Sequence, residues 1–308
     1  IGINNYPNSP LIGCVNDAVA LANTISRNGD GSPNFSVKQL IDPKTKSDLI
    51  TSIKDLFSGD SDIALLYFSG HGHIDSTDGY LVTPDYTTND EGVRMSQILS
   101  IANQSKAKDK IIILDCCYSG KFGSPSTSAH TSVTQIIEGV VVLTASRDSE
   151  VSIEVNGHGM FTNLLIDALH GGAADLRGHI TPGSVYAYID QALGPWDQRP
   201  VFKTNVTRFT SLRTIEPAVP SEILRKITEY FPTPEQEFKL DPTYEFDNKD
   251  VAIPEHVVIM KNLQKFVSVG LVEPVGEEHM YYAAQNSKGC KLTALGYHYW
   301  RLAKENRL

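Results

Sequence analysis

The stretch IIILDCCYSG, residues 111–120, runs four aliphatic residues into an aspartate, two adjacent cysteines and a turn. A run this short, apolar throughout and closed by turn residues, reads as a strand buried on both faces. Three more runs share its texture: FSVKQLI (35–41), DIALLYF (62–68) and GVVVLTA (139–145). Helical patterns lie between them. In NDAVALANTIS (16–26), Val19, Ala22, Asn23 and Ser26 share turns, with Asn16 or Asp17 as N-cap. KSDLITSIKDLF (46–57) starts from Thr45 or Ser47 and puts Leu49, Ile53 and Leu56 on one face. Strand, helix and strand repeated in this way imply an α/β fold with a mostly parallel central sheet covered on both faces. Chemistry in such folds gathers at the carboxyl ends of the strands. Both YFSGHGH (67–73) and ILDCCYSG (113–120) fall there.

Composition narrows the class. The chain has 308 residues, 41% hydrophobic and 20% charged, ordinary for a globular protein with room for one large α/β domain and a smaller one. A net charge of -9 gives no general attraction to phosphate backbones or anionic lipid, so nucleic acid and membranes are not expected partners and basic peptides are. The four cysteines, Cys14, Cys116, Cys117 and Cys290, show no disulfide framework and no CxxC spacing, which suits reduced thiols in a cytoplasmic protein and offers no zinc site. No apolar run approaches the roughly 20 residues of a membrane-spanning helix. The first residue, Ile1, lies in a strand-like run, which leaves room for a segment upstream.

Further along, KFGSPSTSAHTS (121–132) is small, polar and interrupted by Pro125, as a surface loop would be. FTNLLIDALHGG (161–172) reads as a helix ended by glycines, a second helix lies near 182–193, and QRPVF (198–202) is the expected last strand. The prolines and polarity of TSLRTIEPAVPS (210–221) suggest a linker, dividing the chain into domains at 1–215 and 216–308. In the second, PEHVVIMKNLQKFVSVGLVEPV (254–275) reads as a helix then a strand, HMYYAAQ (279–285) as a second strand, and CKLTALGYHYWRLAKENR (290–307) as a closing amphipathic helix. That order looks like a small winged-helix α+β domain with the hairpin as its wing. From 218 to 308 there are eleven basic against thirteen acidic residues, which favours docking of a regulatory protein or autoregulation over DNA binding.

A thiol attacks a peptide carbonyl well only when a base takes its proton and paired N–H groups stabilise the oxyanion. His71 follows one strand and the cysteine pair another, with Cys117 46 positions after His71. These residues resemble the caspase-like cysteine peptidases, and most closely their metacaspase or bacterial branch. The resemblance runs through IGINNYP (1–7), LIGCVNDA (11–18), YFSGHG (67–72), ILDCCYSG (113–120), LTAS (143–146) and QRPVF (198–202), in the family's order and over about residues 1–210. It implies a caspase-like three-layer fold and leaves the C-terminal domain outside. The family's Asp-x-Cys motif, laid on Asp115 to Gly120, makes Cys117 the nucleophile and Cys116 a packing residue. Strand alternation agrees, since only one of two neighbours can face the histidine loop. Tyr118 stands where the family usually has a histidine that is not the base. The resemblance makes His71 the base and proton donor, with the backbone N–H groups of Gly72 and Cys117 forming the oxyanion hole. His73 competes for the role of base but lies outside the motif and is expected to be exposed.

In metacaspases the residues matching Cys14, Asp17, Ser69 and Asp115 line the specificity pocket. An acidic pocket selects a cation through charge-assisted hydrogen bonds and repels an aspartate. The expected activity is therefore endopeptidase cleavage after arginine, then lysine. Asp17 as a helix cap and Asp115 as a strand-end hydrogen-bond acceptor are the plainer alternatives. Calcium-dependent metacaspases carry adjacent acids at the position that here reads VRMSQI (93–98), with Met95 and Ser96, so no metal and no cofactor is expected. Asp75, Asp78, Asp85, Asp90 and Glu91 are then solvated loop acids. Lys121 and Arg213 are the candidate self-cleavage sites. Bacterial relatives suggest a stress or phage-defence setting. The competing reading is a protease-derived scaffold or regulator, its dyad vestigial, whose C-terminal domain binds a partner protein or DNA.

Overall fold

Three aliphatic runs form the centre of the sheet in the computed structural model, which describes residues 1–76, 78–88, 90–116, 136–145, 154–155, 157–193 and 199–308. In the first unit, of residues 1–175 and 179–215, α1 (Cys14–Ile25) and α2 (Lys46–Phe57) precede β1 (Ile63–Ser69). An antiparallel excursion of β2 (Gly72–Ile74), β3 (Gly79–Thr87) and β4 (Asp90–Arg94) leads into α3 (Met95–Gln104) and β5 (Asp109–Asp115). There follow β6 (Val140–Thr144), the short pair β7 (Glu154–Val155) and β8 (His158–Gly159), α4 (Met160–Asp167), β9 (His179–Ile180), α5 (Pro182–Leu193), β10 (Val201–Asn205) and β11 (Arg213–Thr214). The central sheet has the order β1-β5-β6-β10, with β1, β5 and β6 parallel and β10 antiparallel to β6. This is the mostly parallel α/β sheet expected from the sequence.

The period-two alternation of β5 divides its side chains between two cores. Ile112, Leu114 and the following Cys116 join Phe68 and residues of α2 and α3 on one face. Ile111 and Ile113 join Tyr67, Leu143 and residues of α1, α4 and α5 on the other. α2 begins at a capping box, in which the Thr45 hydroxyl accepts from the Asp48 N–H and the Asp48 carboxylate from the Thr45 N–H.

Three expectations are corrected in this unit. Residues 35–41 form no strand: Ser36 to Gln39 are exposed and only Ile41 bridges Gly2. Leu40 is half-buried against the core but Ser36 to Gln39 face solvent, so propensity alone does not recruit the run to the sheet. α1 starts at Cys14, after Gly13, so neither Asn16 nor Asp17 is its cap. The segment around 213 is not an open linker, because β11 pairs with β9 and Leu212 is fully buried. Arg213 donates to the carbonyls of Leu169 at 2.7 Å and Arg27 at 2.9 Å, which fixes a proposed cleavage site within folded structure. Lys121 and the expected loop 121–132 lie outside the described residues.

The second unit, residues 176–178 and 216–308, contains α6 (Ser221–Arg225), α7 (Ile227–Tyr230), β12 (Phe238–Lys239), α8 (Pro254–Ser268), β13 (Val272–Val275), α9 (Met280–Gln285), β14 (Gly289–Leu292) and α10 (Ala294–Lys304). Its core gathers Phe231, Leu263, Phe266, Leu271, Ala283 and Cys290, and its antiparallel sheet has the order β12-β14-β13. Here HMYYAAQ is helical and not a strand. Met280, Ala283 and Ala284 are buried at i, i+3 and i+4, while Tyr281 and Tyr282 are exposed, which is a helical period. The true partner of β13 is β14, read from the sequence as the start of the last helix. That helix begins at Ala294, where the Thr293 hydroxyl caps it by accepting from Gly296 N–H at 3.0 Å. No helix among the described residues is long and apolar enough to cross a membrane.

Candidate active site

β1 and β5 run in register to their last residues, Ser69 opposite Asp115, and Gly70 N–H then donates to the Asp115 carbonyl at 3.3 Å. The two chains therefore leave the sheet side by side, one towards His71 and the other towards Cys116. A Cβ on Gly70 would lie 2.6 Å from the Tyr6 hydroxyl, so a glycine is required there. That hydroxyl accepts from the His71 backbone N–H at 3.0 Å and donates to the Val82 carbonyl at 3.2 Å. Burial pushes the Tyr6 phenol above its ordinary range, which keeps it a donor.

The His71 ring lies 4.6 Å from that of Tyr6, with its Nε2 2.8 Å from the Ser9 carbonyl oxygen. A carbonyl only accepts, so this contact puts the proton on Nε2 and leaves Nδ1 as the basic nitrogen. Gly72 follows as a half-buried residue of β2, paired with Leu81, and His73 beside it is exposed. Cys116 is 3% exposed and packs in the core on the same face as Leu114, as strand alternation requires. Cys117 and Tyr118 lie outside the described residues.

On the opposite face of the sheet the acidic residues meet. Asp17, one turn into α1, is 2% exposed, and Asp115, at the end of β5, is 6% exposed. Asp17 Oδ1 accepts from His158 Nδ1 at 2.8 Å and from Gly159 N–H at 3.3 Å; Oδ2 accepts from the same N–H and from the Ser69 hydroxyl, each at 3.3 Å. Asp115 Oδ2 accepts from the Thr162 hydroxyl at 2.6 Å, and the Tyr67 hydroxyl lies 2.6 Å from the Thr162 oxygen. A Cβ on Gly159 would stand 2.9 Å from Asp115 Oδ2 and 3.4 Å from Asp17 Oδ2, so both carboxylates press on this one glycine, where a side chain would clash. Cys14, at the start of α1, is buried three residues before Asp17.

The electrostatics follow from that burial. Desolvation raises the Asp17 carboxyl above its ordinary range, opposed by the hydrogen bonds from His158 and Gly159. It pushes Asp115 up to about 7; the Thr162 hydroxyl opposes this, and the negative charge of Asp17 adds to it. Tyr67 is held well above its ordinary range by burial and by both carboxylates, so its hydroxyl donates to Thr162 while Thr162 donates to Asp115. Two adjacent buried carboxylates, with no lysine or arginine paired to either among the described residues, are costly to keep, and such pairs mark functional sites.

Ser69, Asp17 and Asp115 are thus brought together as the sequence reading grouped them. Ser9, Tyr67, His158, Gly159 and Thr162, which complete their surroundings or those of His71, were not singled out. The five acids of the β2–β4 region are not simply solvated. Asp75 accepts from Asp78 N–H and the Tyr80 hydroxyl, Asp78 from the Ser96 hydroxyl, Asp85 from Lys46 N–H, and Asp90 pairs with the Lys46 ammonium at 2.5 Å. Glu91 stands beside Asp90 at the start of β4. No group of three or more potential metal ligands occurs among the described residues.

The caspase-domain family model matches residues 1–209. The chain belongs to the caspase-domain family of cysteine peptidases. The match covers both strand-end motifs and both buried aspartates, and it ends before residues 216–308 of the second unit. No curated protein matches the chain by sequence. Among solved structures, protein GSU0716 from Geobacter sulfurreducens superposes with a TM-score of 0.51 at 16% identity, over 70% of this chain and 97% of its own. Caspase-1 from Spodoptera frugiperda is matched with a TM-score of 0.44 at 14% identity, over 70% of this chain and 88% of its own. The first of these likenesses is one of fold.

Proposed function

We propose that this caspase-like protein is an endopeptidase that cleaves after arginine, and less well after lysine, with Cys117 as nucleophile and His71 as base. His71 Nδ1 takes the thiol proton and the thiolate attacks the scissile carbonyl. The N–H groups of Gly72 and Cys117 receive the oxyanion. The tetrahedral adduct collapses to an acyl-enzyme as the His71 imidazolium protonates the leaving amine. Water, deprotonated by the same imidazole, then releases the product acid. Ser9 acts here through its carbonyl, which holds the ring in the tautomer that the first step needs.

The observation that carries the specificity is the pair of buried carboxylates, Asp17 and Asp115, held together against Gly159 at the two strand ends. A guanidinium there gains charge-assisted, multidentate hydrogen bonds, whereas a substrate carboxylate meets like charge. Ser69 and Cys14 complete the wall as supporting residues. The second unit, with its near balance of charge, is assigned to docking or restraint of the protease and not to nucleic acid. The test is active-site labelling. An arginyl fluoromethyl ketone is expected to add one equivalent to Cys117, read by intact mass and peptide mapping, and an aspartyl analogue to add none. Absence of label from the arginyl reagent under every activating condition would favour the scaffold reading.

A further inference from the structure

The Asp17 carboxylate is enclosed by the chain's own donors. An ionised carboxylate offers about four acceptor sites, and three donors of the chain itself fall on Asp17: His158 Nδ1, the Gly159 N–H shared between both oxygens, and the Ser69 hydroxyl. With the carboxylate 2% exposed, a basic side chain reaches it from solvent only where one of those donors gives way. Gly159 N–H is main chain, and Ser69 is buried at the end of the sheet strand. His158 differs from both. Its side chain is 29% exposed where Asp17 is 2% exposed, and it stands at the outer side of the carboxylate. It also makes the shortest contact, 2.8 Å, and sits on a two-residue strand whose neighbour Gly157 is tied to α1 through the Asn16 side-chain amide at 3.2 Å. The ring can therefore leave Asp17 by side-chain rotation while the backbone stays anchored.

We infer that His158 is a specificity-determining residue of the pocket: its imidazole holds the place on Asp17 that a substrate's cation takes, and an entering side chain must replace it as donor. This rests on the assignment of Asp17 and Asp115 to the basic side chain of the substrate. A guanidinium meets the requirement with five N–H donors and a permanent charge, so Asp17 exchanges one charge-assisted bond for another. A neutral apolar side chain that displaced the ring would leave a buried carboxylate short of a donor, at the full desolvation cost. His158 thus closes the pocket to side chains that carry no donor, while reducing the affinity for those that do. This is discrimination by an internal competitor, obtained at some loss of binding.

The test compares full-length wild type with His158→Ala and His158→Asn, using an arginyl fluorogenic peptide for kinetics and benzamidine as an uncleaved cationic probe in thermal-shift titrations. For His158→Ala, KM and the benzamidine dissociation constant are expected to fall about three- to tenfold, the scale of one net hydrogen bond, with kcat within about twofold. For His158→Asn, whose amide can donate from near the Nδ1 position, both constants are expected to stay close to wild type. Arginyl cleavage by the wild type with an unchanged or raised KM and benzamidine constant in His158→Ala would overturn the inference while leaving the proposed function standing. A fall in kcat or in melting temperature without tighter cation binding would do the same, since it would mark a merely structural role. Failure of benzamidine to bind any of the three, together with cleavage that does not follow basic residues, would remove the pocket assignment and the inference with it.

Discussion

Cys117→Ala is expected to lower kcat/KM on an arginyl peptide by at least about 10⁴-fold, the scale on which loss of a covalent nucleophile acts, while Cys116→Ala keeps most of the activity. The two thiols are adjacent in sequence, and Cys116 has the setting of a packing residue. Cys116 is 3% exposed in the core beside Leu114 and Phe68, on the α2 and α3 face of the sheet. Its truncation removes only a small buried side chain, and the expected cost is about 1 kcal/mol of stability, read as a lower melting temperature. Steady-state kinetics on the two purified variants check the assignment. Retained hydrolysis in Cys117→Ala with loss in Cys116→Ala would contradict it.

The second large effect has two opposite signs. Asp115→Asn is expected to lower kcat/KM for arginyl peptides by about 10²- to 10³-fold, as loss of a buried charge-assisted partner does, and at the same time to raise stability at alkaline pH. Burial, assisted by the charge of Asp17, pushes the Asp115 carboxyl up to about 7 from its usual 3.8. Between about pH 4 and pH 7 the folded protein holds a proton that the unfolded chain has released, so stability falls as pH rises through that window. The favourable contribution is complete below the unfolded pKa and lost as pH passes the folded one. At about 1.4 kcal/mol for each pH unit of the shift, the ionised form costs the empty enzyme up to roughly 4 kcal/mol above pH 8. Asparagine does not ionise and removes that penalty. The variant should therefore melt higher than wild type at pH 8.5 and close to it at pH 5, measured by calorimetry. Activity runs the other way. Protonation of Asp115 weakens its hold on a cation, so KM of the wild type for arginyl peptides should rise as pH falls below about 7. A carboxylate kept at a cost in stability is what a binding site requires.

Much of this was legible in the sequence, and what was not follows a physical pattern. β1, β5 and β6 announce themselves because strands buried on both faces must be apolar throughout, and α2 because Thr45 and Asp48 stand at capping-box spacing. Asp115 could be placed at a strand end for the same reason. The residues around it could not. His158 and Gly159 lie 141 and 142 positions from Asp17, Thr162 lies 47 from Asp115, and Ser9 lies 62 from His71. The placing of β8 and the start of α4 against the ends of β1 and β5 brings the first three to the aspartates, and the segment before α1 brings Ser9 to His71. One trace was available, a glycine immediately before an apolar helix, since Gly159 is required where a Cβ would strike Asp115. FSVKQLI and HMYYAAQ misled because each is rich in β-forming residues while tertiary cover decides. In the first, Ser36 to Gln39 face solvent, and in the second Met280, Ala283 and Ala284 bury a helical face.

The most direct measurement is mass spectrometric mapping of the bonds the full-length protein cuts in a proteome-derived peptide library, with Cys117→Ala as control. The account predicts wild-type-only cleavage with arginine on the amino side of the scissile bond, lysine second and aspartate absent. Cleavage after aspartate, or arginyl cleavage that persists in Cys117→Ala, would contradict it.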